Sequence, residues 1–289
     1  MIAEKFSFII LHYNSIDDTH DCVNSIIKNC NDVDYRIYIV DNDSPNKTGK
    51  TLFDEYSNYN QIRVILSKEN LGFAKGNNLG ISQALEDGYA DFVIVQNNDT
   101  KIIQKNFCDL IQEQFKKSTF AVLGPTIYTP NGKTAINPGR THILKGSELD
   151  SWENFYRNGL AFIKQEKFIR LKFLQKMMGL KRRLKSFFRT KFKYTENCVL
   201  HGCCFIFSKN FFEKFDGFDS RTFLYFEEEI LYAHVIKSNL KTVYAPEIEI
   251  WHKEDGATDS IFDNNMKKTV FLYANILKSI KIYRSVLNE

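Results

Sequence analysis

Apolar and polar positions follow a repeating cycle through the first third of the chain. Residues 6–11, 36–40, 63–66 and 92–95 are short apolar runs rich in β-branched and aromatic side chains. Runs of that length and composition predict strands buried within a sheet. Between them, residues 17–29 and 48–56 predict helices, a third follows the loop at residue 70 and runs through about 86, and Val23, Ile26 and Ile27 share one face of the first. Alternating units of this kind predict a parallel sheet with right-handed crossovers and helices on its faces, an α/β architecture. Three of the strands end in polar clusters: His12-Tyr13-Asn14-Ser15, Asp41-Asn42-Asp43-Ser44 and Asn97-Asn98-Asp99-Thr100. In a parallel sheet these clusters emerge at one edge, where open α/β sheets bind ligands.

The later chain is less regular. Residues 120–123 predict a strand, and Pro125, Pro130 and Pro138 mark irregular connections. A strand is expected over 199–207, short helices over 210–215 and 228–238, and two short strands over 242–245 and 247–251. Residues 266–287 predict a long amphipathic helix, with Val270, Tyr273, Ile276, Leu277 and Ile280 at helical spacing.

Composition adds constraints. A chain of 289 residues with 43% hydrophobic content can bury a full core. Six cysteines without a Cys-x-x-Cys pair read as reduced, buried thiols, with no structural zinc site. No signal-peptide pattern and no apolar stretch near the roughly 20 residues of a membrane span is present. The net charge of +4 is unevenly spread. Between Lys164 and Lys193, twelve Lys or Arg face a single acid, a local charge of +11 that leaves the remainder at −7. Phe168, Leu171, Leu174, Leu180, Leu184 and Phe188 are interleaved with those cations, as in a basic amphipathic helix, or a pair broken at Gly179. Such a segment docks on an anionic membrane surface or packs on its own domain with its cations solvated. A nucleic-acid patch fits poorly with the acidic remainder.

Several residue groups carry candidate chemistry. Asp99 either holds a hard divalent cation alongside phosphate oxygens or closes an Asx turn. Asp41 can accept from a base or ribose. The loop over 70–80 leads into a helix whose small residues permit close backbone approach and whose N-terminus favours an anion. Glu227-Glu228-Glu229 read as a helix start, where acids suit the positive end, or as a general base. His252 ends a strand, and His201 precedes Gly202 at the start of another. Neither a P-loop nor a Gly-x-Gly-x-x-Gly motif is present, which excludes the commonest NTPase and dinucleotide-dehydrogenase patterns.

Taken in order, Tyr13-Asn14, Val40-Asp41-Asn42-Asp43-Ser44, Asn70-Leu71-Gly72-Phe73 with Asn77-Asn78-Leu79-Gly80, and Asn97-Asn98-Asp99-Thr100 resemble family 2 glycosyltransferases. His201-Gly202, Phe215-Asp216-Gly217-Phe218-Asp219, Phe223-Leu224-Tyr225-Phe226-Glu227-Glu228 and His252 continue the match. The branch resembled is the bacterial rhamnosyltransferase-like and capsule-assembly one. The resemblance covers about residues 5–255 except 140–195.

It implies the GT-A fold, a Rossmann-like, mostly parallel sheet flanked by helices, here with a basic helical insertion and a C-terminal amphipathic helix. The expected division is a nucleotide-sugar-binding half over 1–140, the insertion over 141–195, an acceptor-binding and catalytic half over 196–260, and the terminal helix over 261–289. The implied activity is inverting transfer from a nucleotide-diphosphate sugar, with Mg²⁺ or Mn²⁺, to a glycan or lipid-linked saccharide in bacterial surface polysaccharide synthesis. The implied location is cytoplasmic and peripheral to the inner membrane face, with no nucleic-acid partner. By position, Tyr13 and Asn14 line the nucleotide pocket, and Asp41 meets the base or ribose. Asn77 and Asn78 lie near the donor sugar or diphosphate. Asn97-Asn98-Asp99 stands at the Asp-x-Asp metal motif, so Asn97 joins the donor-binding set while Asp99 and His252 serve the metal. Glu227-Glu228 stands at the Glu-Asp pair, with Glu228 the base. Two departures stand out: Asn97 replaces an acid, and Glu228 is one methylene longer than the family's Asp with Ile230 where many relatives carry another acid, which leaves Glu227 and Glu229 as alternative bases. The first motivates an alternative, a catalytically weak sugar-nucleotide-binding protein.

Overall fold

The computed structural model describes residues 4–133, 136–164, 192–254 and 265–289. Its first half follows the sequence pattern closely. Strands β1 (Lys5–His12), β2 (Asp34–Asp41), β3 (Ile62–Leu66) and β4 (Phe92–Asn97) are mutually parallel, in the spatial order β3-β2-β1-β4. Helices α1 (Ile16–Asn29), α2 (Thr48–Tyr56) and α3 (Gly72–Glu86) connect them.

Alternation within β1 sets the layers. Phe6, Phe8 and Ile10 join Cys22, Val23 and Ile26 of α1 and Leu52 of α2 in one core, whereas Ile9 joins Ala74, Ile81 and Ala84 of α3 in the other. The glycines of α3 serve this packing. A Cβ at Gly80 would lie 2.5 Å from Ile9 Cγ2, and one at Gly76 would lie 2.7 Å from Leu11 Cδ1. The expected anion site at the start of α3 is also occupied by protein. Leu71 N–H donates to Asn42 Oδ1, Gly72 N–H to Asn70 Oδ1, and Phe73 N–H to the Phe223 carbonyl.

Beyond β4 the sheet becomes mixed. Strand β5 (Thr100–Ile102) follows directly, helix α4 (Phe107–Ser118) leads to β6 (Val122–Thr129), and β7 (Gly132–Lys133) turns back on β6. Helix α5 (Gly146–Lys164) precedes β8 (Thr195–Glu196), β9 (Cys204–Ser208) and the short helix α6 (Lys209–Phe212). Helix α7 (Glu227–Lys237), strand β10 (Thr242–His252) and helix α8 (Asn265–Asn288) complete the chain. The full order is β3-β2-β1-β4-β9-β6-β10-β5, with β8 on β10. Strand β9 runs antiparallel to both β4 and β6, while β6 and β10 are parallel.

Three differences from the sequence expectation have physical causes. The strand expected over 199–207 begins only at Cys204, because Val199 is bonded across to Gly139 and Arg140 instead. The two short strands over 242–251 are one strand, with a register irregularity between Ala245 and Glu249 that accommodates Pro246, which has no N–H to donate. Helix α4 was not expected from the sequence, although Phe107, Cys108 and Ile111 line one buried face of it; its twelve residues lie between two short strands that drew the reading instead.

Helices α5, α7 and α8 form a third cluster beside the two sheet cores. It includes Leu149, Phe226, Ile230, Ile276, Ile280 and Tyr283. All six cysteines are free and buried, as expected. The proposed basic amphipathic helix, including its break at Gly179, falls almost wholly outside the described residues. Among the described residues, no helix is long and apolar enough to cross a membrane.

Candidate functional site

The parallel register brings the strand ends together: His12 pairs with Asp41, and Leu11 with Asn97. The first two loops are tied by a relay of hydrogen bonds. Asn14, in the left-handed region at φ 64°, donates its N–H to Ser44 Oγ at 3.0 Å, and Ser44 Oγ donates to Asp41 Oδ1 at 2.5 Å. Burial pushes the Asp41 carboxyl above its ordinary value, opposed by the hydrogen bonds from Ser44. His12 beneath them is sealed in, its ring nitrogens 2.7 Å from Thr19 Oγ1 and 2.8 Å from Thr48 Oγ1. Burial lowers its pKa to about 4. Tyr13 flanks this relay, half-buried, with its carbonyl accepting Ser15 N–H.

Asn42, unnoticed as a functional position in the sequence, organises the next loop. Its side chain donates to Asn70 Oδ1 and the Gly72 carbonyl and accepts Leu71 N–H. Asn77 is fully buried, donating to the Phe73 carbonyl while its Oδ1 has no hydrogen-bond partner. Asn78 is committed at both ends: Nδ2 donates to the Phe218 carbonyl and Oδ1 accepts Phe218 N–H, each at 2.8 Å. It therefore clamps the segment leading to α7.

A second group assembles around the start of β9. Asn97 N–H donates to the Cys203 carbonyl, and Asn98 Nδ2 donates to Ser15 O and Thr19 Oγ1, anchoring the Asn97–Asp99 turn to α1. Asp99 is buried, and its Oδ1 lies 3.2 Å from His252 Nε2. The two remaining atoms of that pair, Asp99 Oδ2 and His252 Nδ1, are buried without hydrogen-bond partners. Beside them lies the His201 ring, with its centroid 6.2 Å from that of His252. Burial, aided by His252, lowers His201 to about 4, so the ring is neutral near pH 7.

The third group is the start of α7. Tyr225 and Phe226 both hold left-handed backbone, at φ 72° and 76°, which is strained for aromatic residues. Tertiary contacts enforce it. Phe223 O accepts Phe73 N–H, Ser279 Oγ donates to Leu224 O, and the Phe226 ring packs against Trp152 and Tyr283. The three following carboxyls then part company. Glu229 pairs with Arg140, whose guanidinium lies 5.0 Å from the Trp152 ring centroid. Glu227 is buried with Oε1 unpartnered, and burial followed by the Glu228 charge raises it to about 8. Glu228 is only partly buried, is also raised by desolvation, and accepts the Gly202 N–H through Oε1 at 3.2 Å. A Cβ at Gly202 would lie 2.8 Å from that oxygen, so only glycine lets the carboxylate so close.

Residues 201–203 thus join two candidate centres: His201 lies beside the Asp99–His252 pair, and Gly202 holds Glu228. The Cys203 thiol between them is raised chiefly by burial, with both Asp99 and Glu228 adding to the shift. The facing atoms, Asp99 Oδ1 and His252 Nε2 at 3.2 Å, suit a divalent cation as a two-ligand set. Among the described residues no third acidic, His or Cys side chain converges there.

Comparison with known proteins matches the chain to one family. The model for Glycosyl transferase family 2 matches residues 7–216. A curated N-acetylglucosaminyl-diphospho-decaprenol L-rhamnosyltransferase of Mycobacterium tuberculosis (strain CDC 1551 / Oshkosh) is 24% identical over 239 residues, covering 77% of this chain and 67% of the relative. Among solved structures, S. aureus TarS 1-349 in complex with UDP-GlcNAc aligns with a TM-score of 0.55 at 16% identity, over 93% of this chain and 65% of that one. GalNAc-T7 with UDP, GalNAc and Mn²⁺ aligns with a TM-score of 0.59 at 13% identity, over 96% and 50%. The chain therefore spans half to two thirds of those two structures, and at such identities they establish the fold alone: a mostly parallel mixed sheet flanked by helices, as in GT-A glycosyltransferases.

Proposed function

The chain belongs to glycosyl transferase family 2, and from that premise we propose that it transfers a sugar from a nucleoside-diphosphate donor to a saccharide hydroxyl by a single inverting displacement. The observation that carries this reading is the convergence of the Asp99–His252 pair and Glu228 on residues 201–203. One centre suits a leaving diphosphate and the other an attacking hydroxyl.

In this mechanism Tyr13, Asn14 and Asp41 hold the nucleoside, while Asn77 and Asn97 border the donor. Asn78 acts through the Phe218 main chain. Glu228 removes the proton from the acceptor hydroxyl. That oxygen forms a bond to the anomeric carbon as the bond to the diphosphate oxygen breaks, and the electron pair departs on the diphosphate. Glu227, at about 8, retains its proton near pH 7 and so leaves the base role to its neighbour. Asp99 and His252 would hold Mg²⁺ or Mn²⁺, which supplies charge neutralisation for the departing diphosphate. Two protein ligands suffice when donor oxygens and water complete the shell.

The curated relative's name and the basic segment support a finer reading. The acceptor is a saccharide on a lipid diphosphate, the transferred sugar is a hexosyl or rhamnosyl unit, and residues 164–193 bring the enzyme to an anionic membrane surface in surface polysaccharide synthesis. The test is a panel of nucleotide sugars screened for thermal stabilisation with Mn²⁺, followed by transfer to lipid-linked and free saccharides. Glu228→Gln is expected to keep donor stabilisation and lose transfer by roughly a hundredfold or more. Full transfer by that variant excludes Glu228 as the base.

A further inference from the structure

His201 stands between the two proposed centres without an assigned role. Its main-chain N–H donates to Asn137 Oδ1 at 2.8 Å, which fixes the backbone. Its ring Nδ1 accepts the Cys203 N–H at 3.2 Å. A nitrogen that accepts a hydrogen bond carries no proton, so the ring's N–H is on Nε2. That atom makes no hydrogen bond among the described residues and, unlike Nδ1 of His252, is not sealed off from solvent. The ring centroid lies 6.2 Å from that of His252, and the next residue, Gly202, donates its N–H to Glu228. A displacement spanning those two centres passes this donor as negative charge builds on the leaving oxygen.

We propose that His201 donates a hydrogen bond from Nε2 to the diphosphate of the donor substrate, its ring fixed for that task by the Cys203 main chain. The proposal rests on the donor reading given above. It makes His201 a binding residue for the phosphate portion of the ligand rather than for the nucleoside. Sequence alone placed it, with Gly202, among the ordered motifs but gave it no role.

Two isosteric replacements separate this role from a structural one. His201→Asn keeps an acceptor near Nδ1 for Cys203 N–H but has nothing at Nε2. His201→Gln offers an amide N–H near Nε2 but loses the acceptor near Nδ1. Calorimetric titration of the full chain with UDP, dTDP and their monophosphates, in the presence of Mn²⁺, reads the effect, with thermal unfolding as the folding control. His201→Asn is expected to weaken the diphosphate that wild type binds by roughly ten- to a hundredfold. Its affinity for the monophosphate should stay within about twofold, and His201→Gln should bind the diphosphate nearly as wild type does. Equal loss for mono- and diphosphate, unchanged diphosphate affinity in His201→Asn, or a larger loss in Gln than in Asn overturns the proposal. Failure of wild type to bind either diphosphate instead overturns the donor reading, and this inference with it.

Discussion

At Glu227 the folded chain keeps a proton that the unfolded chain releases near 4.5, because burial and the Glu228 charge hold the carboxyl up at about 8. Between those values the unfolded state binds fewer protons, so rising pH favours unfolding. Glu227→Gln removes this contribution. Its unfolding midpoint should gain on wild type progressively from about pH 4.5 to about pH 8 and run parallel outside that window, as thermal scans across pH will read. His12 acts in the opposite sense. Its folded value near 4 lies below the ordinary 6.5, so its contribution is complete above about 6.5 and is lost as pH falls toward 4. Gly202 offers a separate test. Alanine there places a methyl group 2.8 Å from the carboxylate oxygen it now serves, so Gly202→Ala should lower kcat by roughly tenfold or more at little change in donor KM. Sequence reading singled out Asp99, His252 and Glu228 because acids and histidines at strand ends or helix starts are conspicuous and stand at the positions of a family's motifs. It missed the work of Asn42, whose hydrogen bonds are visible only once distant segments meet, and it marked Gly202 as a point of close approach without identifying Glu228 as what approaches.

Among the elements, the loop before α7 shows how strain is held in place. Gly72 lies at φ 76°, and a Cβ there would sit 2.0 Å from the Phe223 carbonyl oxygen, against which α3 begins. Gly72→Ala should therefore cost about 2 kcal/mol or more in urea unfolding and loosen the segment that sets Glu228. The Arg140–Glu229 pair fastens the same helix to the 137–140 loop, with side chains 21% and 11% exposed. Removing either partner alone should cost about 3 kcal/mol, while replacing both by leucine should cost less than the sum, a double-mutant cycle that chemical denaturation can read. The four parallel strands were legible because burial on both faces leaves an apolar signature, as in Phe92-Val93-Ile94-Val95. The direction of β9 was not. Side-chain pattern records which face is buried but not which way a strand runs, and only the path from Arg140 back to Cys204 decides that. Strand β5 was hidden for a related reason, since three residues form a strand only when β10 reaches them.

For the molecule as a whole, the polar loops gather at one sheet edge while the helices of the third cluster back the start of α7. The charge is divided in sequence between the +11 segment and an acidic remainder. If that segment docks on membrane, the full chain should sediment with anionic vesicles in about 0.1 M salt and be released near 1 M, where the Debye length falls to about 3 Å. Neutral vesicles should leave it in solution. The antiparallel entry of β9 has a wider consequence. The chain leaves β6 and later returns toward β9 across a stapled neck, where Gly139 N–H bonds Val199 O and Val199 N–H bonds Arg140 O. An excursion closed at its neck can grow or change composition at slight entropic expense, about 0.6 kcal/mol per doubling of a flexible loop. Evolution can thus exchange the part of the excursion beyond α5 as a cassette, altering what the protein meets, while α5 stays to back Phe226 through Trp152.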